Sequence, residues 1–318
     1  MAINYNRGMS QRGTYVTAEM ATGLVRRHLL PDITVTEVRK LYGGSVNRVL
    51  EFVIDRHPGA IVAKIHDRTS HELFEVEAAS LRYFQDKTRL PVPMPLSWFN
   101  HDETFDGAVL FMQKIPGTTL EAAHISRRGN AFFQTELASH LIELHSHTAE
   151  SFGSAVNDED RHETWLDYYR PSVEREVGQT RSMLPSSLRE VVDHVCDHLA
   201  YWLSSDSPAR PTLIHGDLWA NNILISDAHP DQPRIQAYID GHASFADPEY
   251  ELAYLRLFKT AGDPFFNVYG KTHRVRPGFE RRCRVYWLIT MLQHCRMFGA
   301  QYLPSVERIA KEIRAMSR

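Results

Sequence analysis

The chain has 318 residues, a length that holds one large or two modest domains. Its 43% hydrophobic and 24% charged residues, with 17 Gly and 16 Pro, exclude a disordered, collagen-like or disulfide-scaffold protein. Thirty-six Lys and Arg stand against 39 Asp and Glu, a formal charge of −3, which leaves no general basic field to bind nucleic acid or an anionic membrane. The three cysteines, Cys196, Cys283 and Cys295, form no CxxC pair, so the expected setting is a reducing cytoplasm. The opening stretch MAINYNRGMSQRG lacks the apolar core of a signal peptide, and the apolar run 286–292 is far short of the ~20 residues that span a bilayer. The expectation is a chain neither exported by that route nor embedded.

In chain order, residues 18–29 fit a short amphipathic helix with Pro31 just beyond it. Segments 35–43, 46–54 and 60–66 are rich in β-branched and aromatic residues. Gly43-Gly44 and His57-Pro58-Gly59 separate them, which predicts consecutive antiparallel strands. Residues 70–85 predict a helix capped by Ser70, with Leu73, Phe74, Ala78, Leu81 and Phe84 on one stripe. Strands are expected around 93–99 and 107–115. Pro116-Gly117 then marks the boundary between an N-terminal nucleotide-binding lobe, 1–115, and a catalytic and substrate-binding lobe, 116–318. The second lobe reads as mainly helical, as in 132–153 and 188–203, interrupted by strand candidates at 212–225 and 234–240.

The chemistry concentrates in LIHGDLWANNILI, 213–225, where Asp217 precedes Asn222 by five residues between two apolar strands. A carboxylate at Asp217 can accept a hydrogen bond from an attacking hydroxyl, and Asn222 offers an oxygen to a hard cation such as Mg²⁺. Asp240 follows the strand at 234–240 and precedes Gly241, a second oxygen donor for a metal bridging nucleotide phosphates. Upstream, Lys64 sits in the apolar run AIVAKIH, and Glu77 follows it by 13 residues within a helix. An ion pair between them, with Lys64 on the phosphates, completes the phosphoryl-transfer layout of protein kinases. GGSVNR, 43–48, would then cover the phosphates with the backbone of Gly43, Gly44 and Ser45. Two glycines between strands also make a plain hairpin.

HGDLWANN at 215–222 resembles the HGDxxxxN signature of the aminoglycoside phosphotransferase superfamily, and its Leu218-Trp219 variant is similar to that of the fructosamine kinases. Ala243-Ser244-Phe245, then Glu249-Tyr250-Glu251-Leu252-Ala253, resemble a fructosamine kinase segment. So do 277–282 with Tyr286, Leu292, His294, Phe298-Gly299 and Tyr302, and FEVEAASL at 74–81. The resemblance covers roughly residues 35–310. It implies a bilobal, protein-kinase-like α+β fold, with a small antiparallel-sheet lobe carrying one helix and a larger helical lobe. It also implies Asp217 as catalytic base, Asn222 and Asp240 as Mg²⁺ ligands, Lys64 on the α and β phosphates and Glu77 as its partner. Adenine would pair with the backbone of Gln113 and Ile115 beside Met112. The chain departs from the fructosamine kinases at Asp240-Gly241-His242, where they usually carry Asp-Pro-Ala. Its Ala246-Asp247-Pro248 looks more like the general antibiotic kinase pattern.

The stretch NDEDRHETWLDYYR, 157–170, admits two readings: a pocket whose acidic and aromatic groups hold a cationic sugar, or a solvated loop leading into a helix. On the first reading Asp160, Trp165 and Tyr169 are candidate acceptor contacts, joined by Trp219 of the catalytic loop. His194 and His198 have the i, i+4 spacing of a metal pair but lack further ligands, and His145 and His147 at a helix end read as surface polar groups. Asp247 and Glu251 read as groups that fix the loop. The expected activity is an ATP- and Mg²⁺-dependent small-molecule kinase acting on a hydroxyl of a ketosamine or amino sugar. An antibiotic phosphotransferase is the alternative within the same chemistry, and a nucleotide-binding pseudokinase module the alternative outside it.

Overall fold

The computed structural model describes residues 15–41, 47–66, 73–226 and 229–316. They form two compact units, one of residues 15–133 with 220–242, the other of 134–219 with 243–316. The expected Ser70 cap and the turn at Gly43, Gly44 and Ser45 lie outside the described residues.

Helix α1 (Ala18–His28) begins where the Thr17 side chain accepts from the Met20 N–H at 3.1 Å, a cap that contributes about 1 kcal/mol. It turns Ala21, Leu24 and Val25 inward and carries Arg26, Arg27 and His28 in its last turn, where cations meet the negative end of the helix dipole. Strands β1 (Val35–Leu41), β2 (Arg48–Ile54) and β3 (Ala60–His66) pair antiparallel in sequence. Helix α2 (Leu73–Lys87) buries Phe74, Ala78, Leu81 and Phe84 against β4 (Pro95–Phe99) and β5 (Ala108–Gln113). The sheet runs β1-β2-β3-β5-β4. Its interior strand β5 is apolar from Ala108 to Met112 and buried throughout that run, because α2 covers one face and the Phe52, Ile65 and Phe111 core under α1 fills the other.

After β6 (Thr118–Thr119), helix α3 (Arg127–Leu144) ends nine residues before the helix expected to reach 153. The tail instead forms β7 (Phe152–Ser154), paired to β8 (Arg161–His162) on one side. Gly153 permits that pairing: at φ +144 it lies against the Asp160 carbonyl, which a Cβ would meet at 1.7 Å. Only glycine adopts that backbone at that approach. Helix α4 (Trp165–Thr180) starts on Thr164, whose hydroxyl accepts from the Asp167 N–H at 3.2 Å. The single helix expected over 188–203 divides at His198 into α5 (Ser186–Asp197) and α6 (Leu199–Leu203).

Strands β9 (Thr212–Ile214), β10 (Ile223–Ile225), β11 (Ile235–Tyr238) and β12 (Ser244–Ala246) follow. They belong to different units. β6, β10 and β11 make a three-stranded sheet in the first, and β8-β7-β12-β9 a four-stranded sheet in the second. Helices α7 (Pro248–Leu257), α8 (Asp263–Tyr269), α9 (Phe279–Phe298) and α10 (Leu303–Met316) complete the chain. α9 is the centre of the helical unit, packed by α4, α7 and α10.

A buried ionic cluster fixes the start of α7. Arg282, fully buried, donates to both Glu249 oxygens at 2.5 and 3.1 Å and to the carbonyls of Arg276 and Pro277. Arg276 donates to Asp247 and Glu249, and Asp247 accepts from the Glu249 N–H at 3.0 Å as the N-cap. Every buried charge here has a hydrogen-bonded partner, the condition on which such groups are tolerated. All three cysteines are free thiols. Among the described residues no helix is long and apolar enough to cross a membrane.

Candidate active site

In the first unit β3 carries a lysine among buried neighbours, with Lys64 opposite Val49 and Leu110 in the register. Its ammonium donates to Glu77 Oε1 and Oε2, each at 2.8 Å, and to Asp240 Oδ1 at 2.9 Å. Burial alone would push the lysine pKa down; the charges of Asp240 and Glu77 outweigh it and hold the value above the ordinary one. Glu77 is the buried carboxylate of α2 and Glu75 the exposed one, so helix phase selects the partner.

Asp240 stands just past β11 with φ 61, a left-handed conformation that Asp tolerates better than most residues. Its side chain is 35% exposed, against 7% for Lys64. The preceding residue ties this turn to the start of β10, since the Ile239 N–H donates to the Asn222 carbonyl at 3.0 Å. Pairing of Ile223 with Tyr238 continues that tie. Asn222 is buried, and one hairpin end therefore carries both an asparagine and a partly exposed aspartate. That donor set fits Mg²⁺, which takes hard oxygens from one or two protein groups and the rest from phosphates and water. Among the described residues no cluster of three or more His, Cys, Asp or Glu offers an all-protein metal cage.

Met112 is buried at the end of β5. The Gln113 N–H donates to the Met94 carbonyl at 2.8 Å and is therefore not open to a base. Ile115 follows the strand, half-buried.

In the second unit the loop after β9 carries Asp217. Gly216 has φ +88, and its N–H donates to Glu251 Oε1 at 2.8 Å. Glu251 Oε2 lies 2.9 Å from His145 Nε2, and His145 Nδ1 lies 2.7 Å from the Tyr269 hydroxyl. Burial pushes the Tyr269 pKa up, which keeps its hydroxyl protonated. The surface position expected for His145 is thus corrected: it is 3% exposed and, through Glu251, supports the loop that carries Asp217. His147 keeps a half-exposed side chain against Glu143. His215 Nδ1 lies 3.4 Å from the Asp217 N–H.

Asp217 Oδ1 accepts from the Tyr254 hydroxyl at 2.5 Å. Trp219 packs near Phe258, ring centroids 6.1 Å apart. The candidate acceptor contacts divide by burial. Trp165 donates to the Tyr286 hydroxyl at 2.9 Å, and Tyr286 donates to Asp247 at 2.8 Å. Tyr169 stacks on Trp165 at 4.9 Å, and both are nearly buried. Tyr250 and Tyr168 lie half-buried against that pair, with centroids 6.0 and 5.7 Å from Trp165. Asp160, beyond them, accepts from His162 Nε2 at 3.0 Å. Burial and the Asp160 charge push the Tyr168 pKa up to about 12. Tyr168 belongs to the 157–170 stretch and Tyr250 to the 249–253 segment singled out in the sequence, whereas Tyr254 went unmarked because it sits at a helical spacing that a packing residue would share.

The fructosamine kinase family profile matches residues 18–316. The chain is similar to a probable ketoamine kinase of Vibrio parahaemolyticus, 25% identical over 90% of this chain and 95% of the relative. Its backbone is similar to the crystal structure of a provisionally named fructosamine-3-kinase of Thermobifida fusca, with TM-score 0.69, 21% identity and coverage of 92% and 98%. An aminoglycoside phosphotransferase solved with ADP and hygromycin B gives TM-score 0.64 at 19% identity, over 89% of this chain and 93% of that one. The two structures establish the kinase-like α+β fold. The profile covers nearly all the described residues, Lys64, Glu77, Asp217, Asn222 and Asp240 included, and the chain therefore belongs to the fructosamine kinase family.

Proposed function

We propose that this chain is an ATP-dependent small-molecule kinase that moves the γ-phosphate of ATP to a hydroxyl of a ketosamine or related amino sugar. The observation that carries the reading is the Lys64–Glu77–Asp240 triad, an ammonium held between two carboxylates inside an apolar sheet. Replacing a buried ion pair by apolar residues is often neutral or stabilising, so packing gives little reason to keep one here. A fixed cation that contacts polyphosphate does.

Lys64 binds the α and β phosphates, and Glu77 keeps its ammonium in place. Asn222 and Asp240 would hold Mg²⁺, which when bound neutralises charge on the phosphate oxygens. The Gln113 carbonyl and the Ile115 backbone meet the adenine edge beside Met112, and Gly43, Gly44 and Ser45 cover the phosphates. Asp217 accepts the hydrogen bond of the acceptor hydroxyl and aligns its oxygen with the γ-phosphorus. As the O–P bond forms and the bond to the bridging oxygen of ADP breaks, the hydroxyl proton passes to Asp217. We assign residues 1–115 as the nucleotide-binding lobe and 116–318 as the catalytic and substrate-binding lobe, the latter also supplying Asn222 and Asp240 for the metal. The free thiols suit a cytoplasmic location.

The acceptor class rests on family membership and on chemistry in the second unit. The Vibrio relative is named for ketoamines. Asp160 and the half-buried Tyr168 and Tyr250 offer a carboxylate and aromatic faces to an amine-bearing sugar. Trp219, Trp165 and Tyr169 complete the set, the last two as its wall.

The test is ADP release with fructosylglycine, its ribulosyl counterpart and kanamycin as acceptors. The expected result is the highest kcat/KM on a ketosamine. Higher efficiency on kanamycin would move the acceptor to the antibiotics, and release no faster than without acceptor would overturn the kinase reading.

A further inference from the structure

Helix α7 holds the catalytic loop at two points. Glu251 accepts from the Gly216 N–H at 2.8 Å, which fixes backbone, and Tyr254 donates to Asp217 Oδ1 at 2.5 Å, which fixes a side chain. Residues three apart share a helix face, so one rigid element sets both the loop and the carboxylate it presents. The helix itself is anchored by its Asp247 cap and the buried Glu249–Arg282 pair.

The Tyr254 ring has little freedom. It is 9% exposed and packs on Phe258, centroids 4.6 Å apart. Phe258 in turn packs on His294 at 5.3 Å, whose Nδ1 bonds the Thr290 carbonyl at 2.8 Å. A phenol fixed in this way sets the plane of the carboxylate it meets. Burial and the neighbouring Asp217 charge raise the Tyr254 pKa well above the ordinary tyrosine value. The hydroxyl therefore stays a donor and takes no proton from the acceptor.

We infer that Tyr254 is a positioning residue for phosphoryl transfer, orienting the Asp217 carboxylate through its hydroxyl; the inference rests on the reading of Asp217 as the base. An angular error at a base is costly, since misplacement by about 1 Å can lose roughly 10²-fold in rate. Nucleotide binding, assigned to residues of the other unit, is not expected to depend on this bond.

The experiment compares wild type, Tyr254→Phe and Asp217→Ala with ATP and whichever of fructosylglycine and kanamycin wild type turns over faster. Tyr254→Phe keeps the ring and removes only the hydroxyl. The expected result is a kcat lowered about 10- to 100-fold with the KM for ATP unchanged and the folded protein intact by thermal melting. A purely structural tyrosine would lower the melting temperature and leave kcat of the folded enzyme in place. If Asp217→Ala is inactive while Tyr254→Phe keeps full kcat, the positioning role is wrong and the base stands. If Asp217→Ala itself turns over normally, or wild type uses neither acceptor, the base reading and the inference fall together.

Discussion

Glu77→Gln isolates the triad with the smallest change of shape. In the native protein the Lys64 ammonium has carboxylate oxygens at 2.8, 2.8 and 2.9 Å. The substitution removes one negative charge and turns one of the two Glu77 oxygens into an NH₂ donor facing another donor. A hydrogen bond to a charged group contributes about 1.5–3 kcal/mol, and breaking a buried pair outright costs about 3–5 kcal/mol. Asp240 still partners the ammonium, so the lower range applies, and the expected loss of stability is about 2–3 kcal/mol. The functional loss follows the same interaction. With Glu77 neutral, Lys64 leans on Asp240, the carboxylate assigned to the metal, and at 1.4 kcal/mol per decade kcat/KM for ATP should fall about 30- to 140-fold. Urea unfolding gives the first number, and steady-state rates with ATP varied give the second. A stability change under about 0.5 kcal/mol, typical of an exposed substitution, together with an unchanged ATP dependence, would refute the reasoning.

Other perturbations follow from single contacts. Asp102 accepts from Arg27 at 2.9 Å, His28 at 2.6 Å and the Thr104 N–H at 2.8 Å. Burial pushes its carboxyl up, but these donors outweigh it and hold it far below the ordinary carboxylate range. A folded value depressed below the unfolded one contributes stability above about pH 4 that is lost as the pH falls. Between pH 7 and pH 3 wild type should therefore lose about 1 kcal/mol more than Asp102→Asn; equal losses in urea titrations at the two pH values would contradict this. Gly216→Ala places a Cβ at φ +88 and should cost about 1–2 kcal/mol; an alanine variant as stable as wild type would show the loop relaxes. Asp217→Ala should bind ATP as wild type does while losing at least about three orders of magnitude in turnover, measured by nucleotide titration beside the rate assay.

The Lys64–Glu77 pair was legible in the sequence because a lysine within AIVAKIH needs a reason and a glutamate at helical spacing supplies one, and the structure pairs them at 2.8 Å; the bond from Lys64 to Asp240, 176 residues away, was not. The loop that carries Asp217 was legible as a unit because its residues are adjacent in the chain. Its supports were not. His145 reaches Glu251 and Tyr269 across 106 and 124 residues, and nothing local distinguishes it from a polar helix end. Tyr254 lies within an apolar run of α7, where an aromatic side chain reads as packing. The strands β7, β8 and β12 have two or three residues each, too few for alternation to register. The β7–β8 pairing turned on Gly153, whose need for a positive φ arises only from the Asp160 carbonyl beside it.

Phosphorus NMR tests the central claim most directly. Wild type and Asp217→Ala are each incubated with Mg·ATP and a mixture of ketosamines and amino sugars, and the phosphomonoester region is followed as ATP is consumed. The expected result is a new phosphomonoester resonance with wild type, growing as the ADP signals grow and absent with Asp217→Ala. A resonance of equal strength in both, or ATP consumed to inorganic phosphate alone, would contradict transfer to a hydroxyl through Asp217.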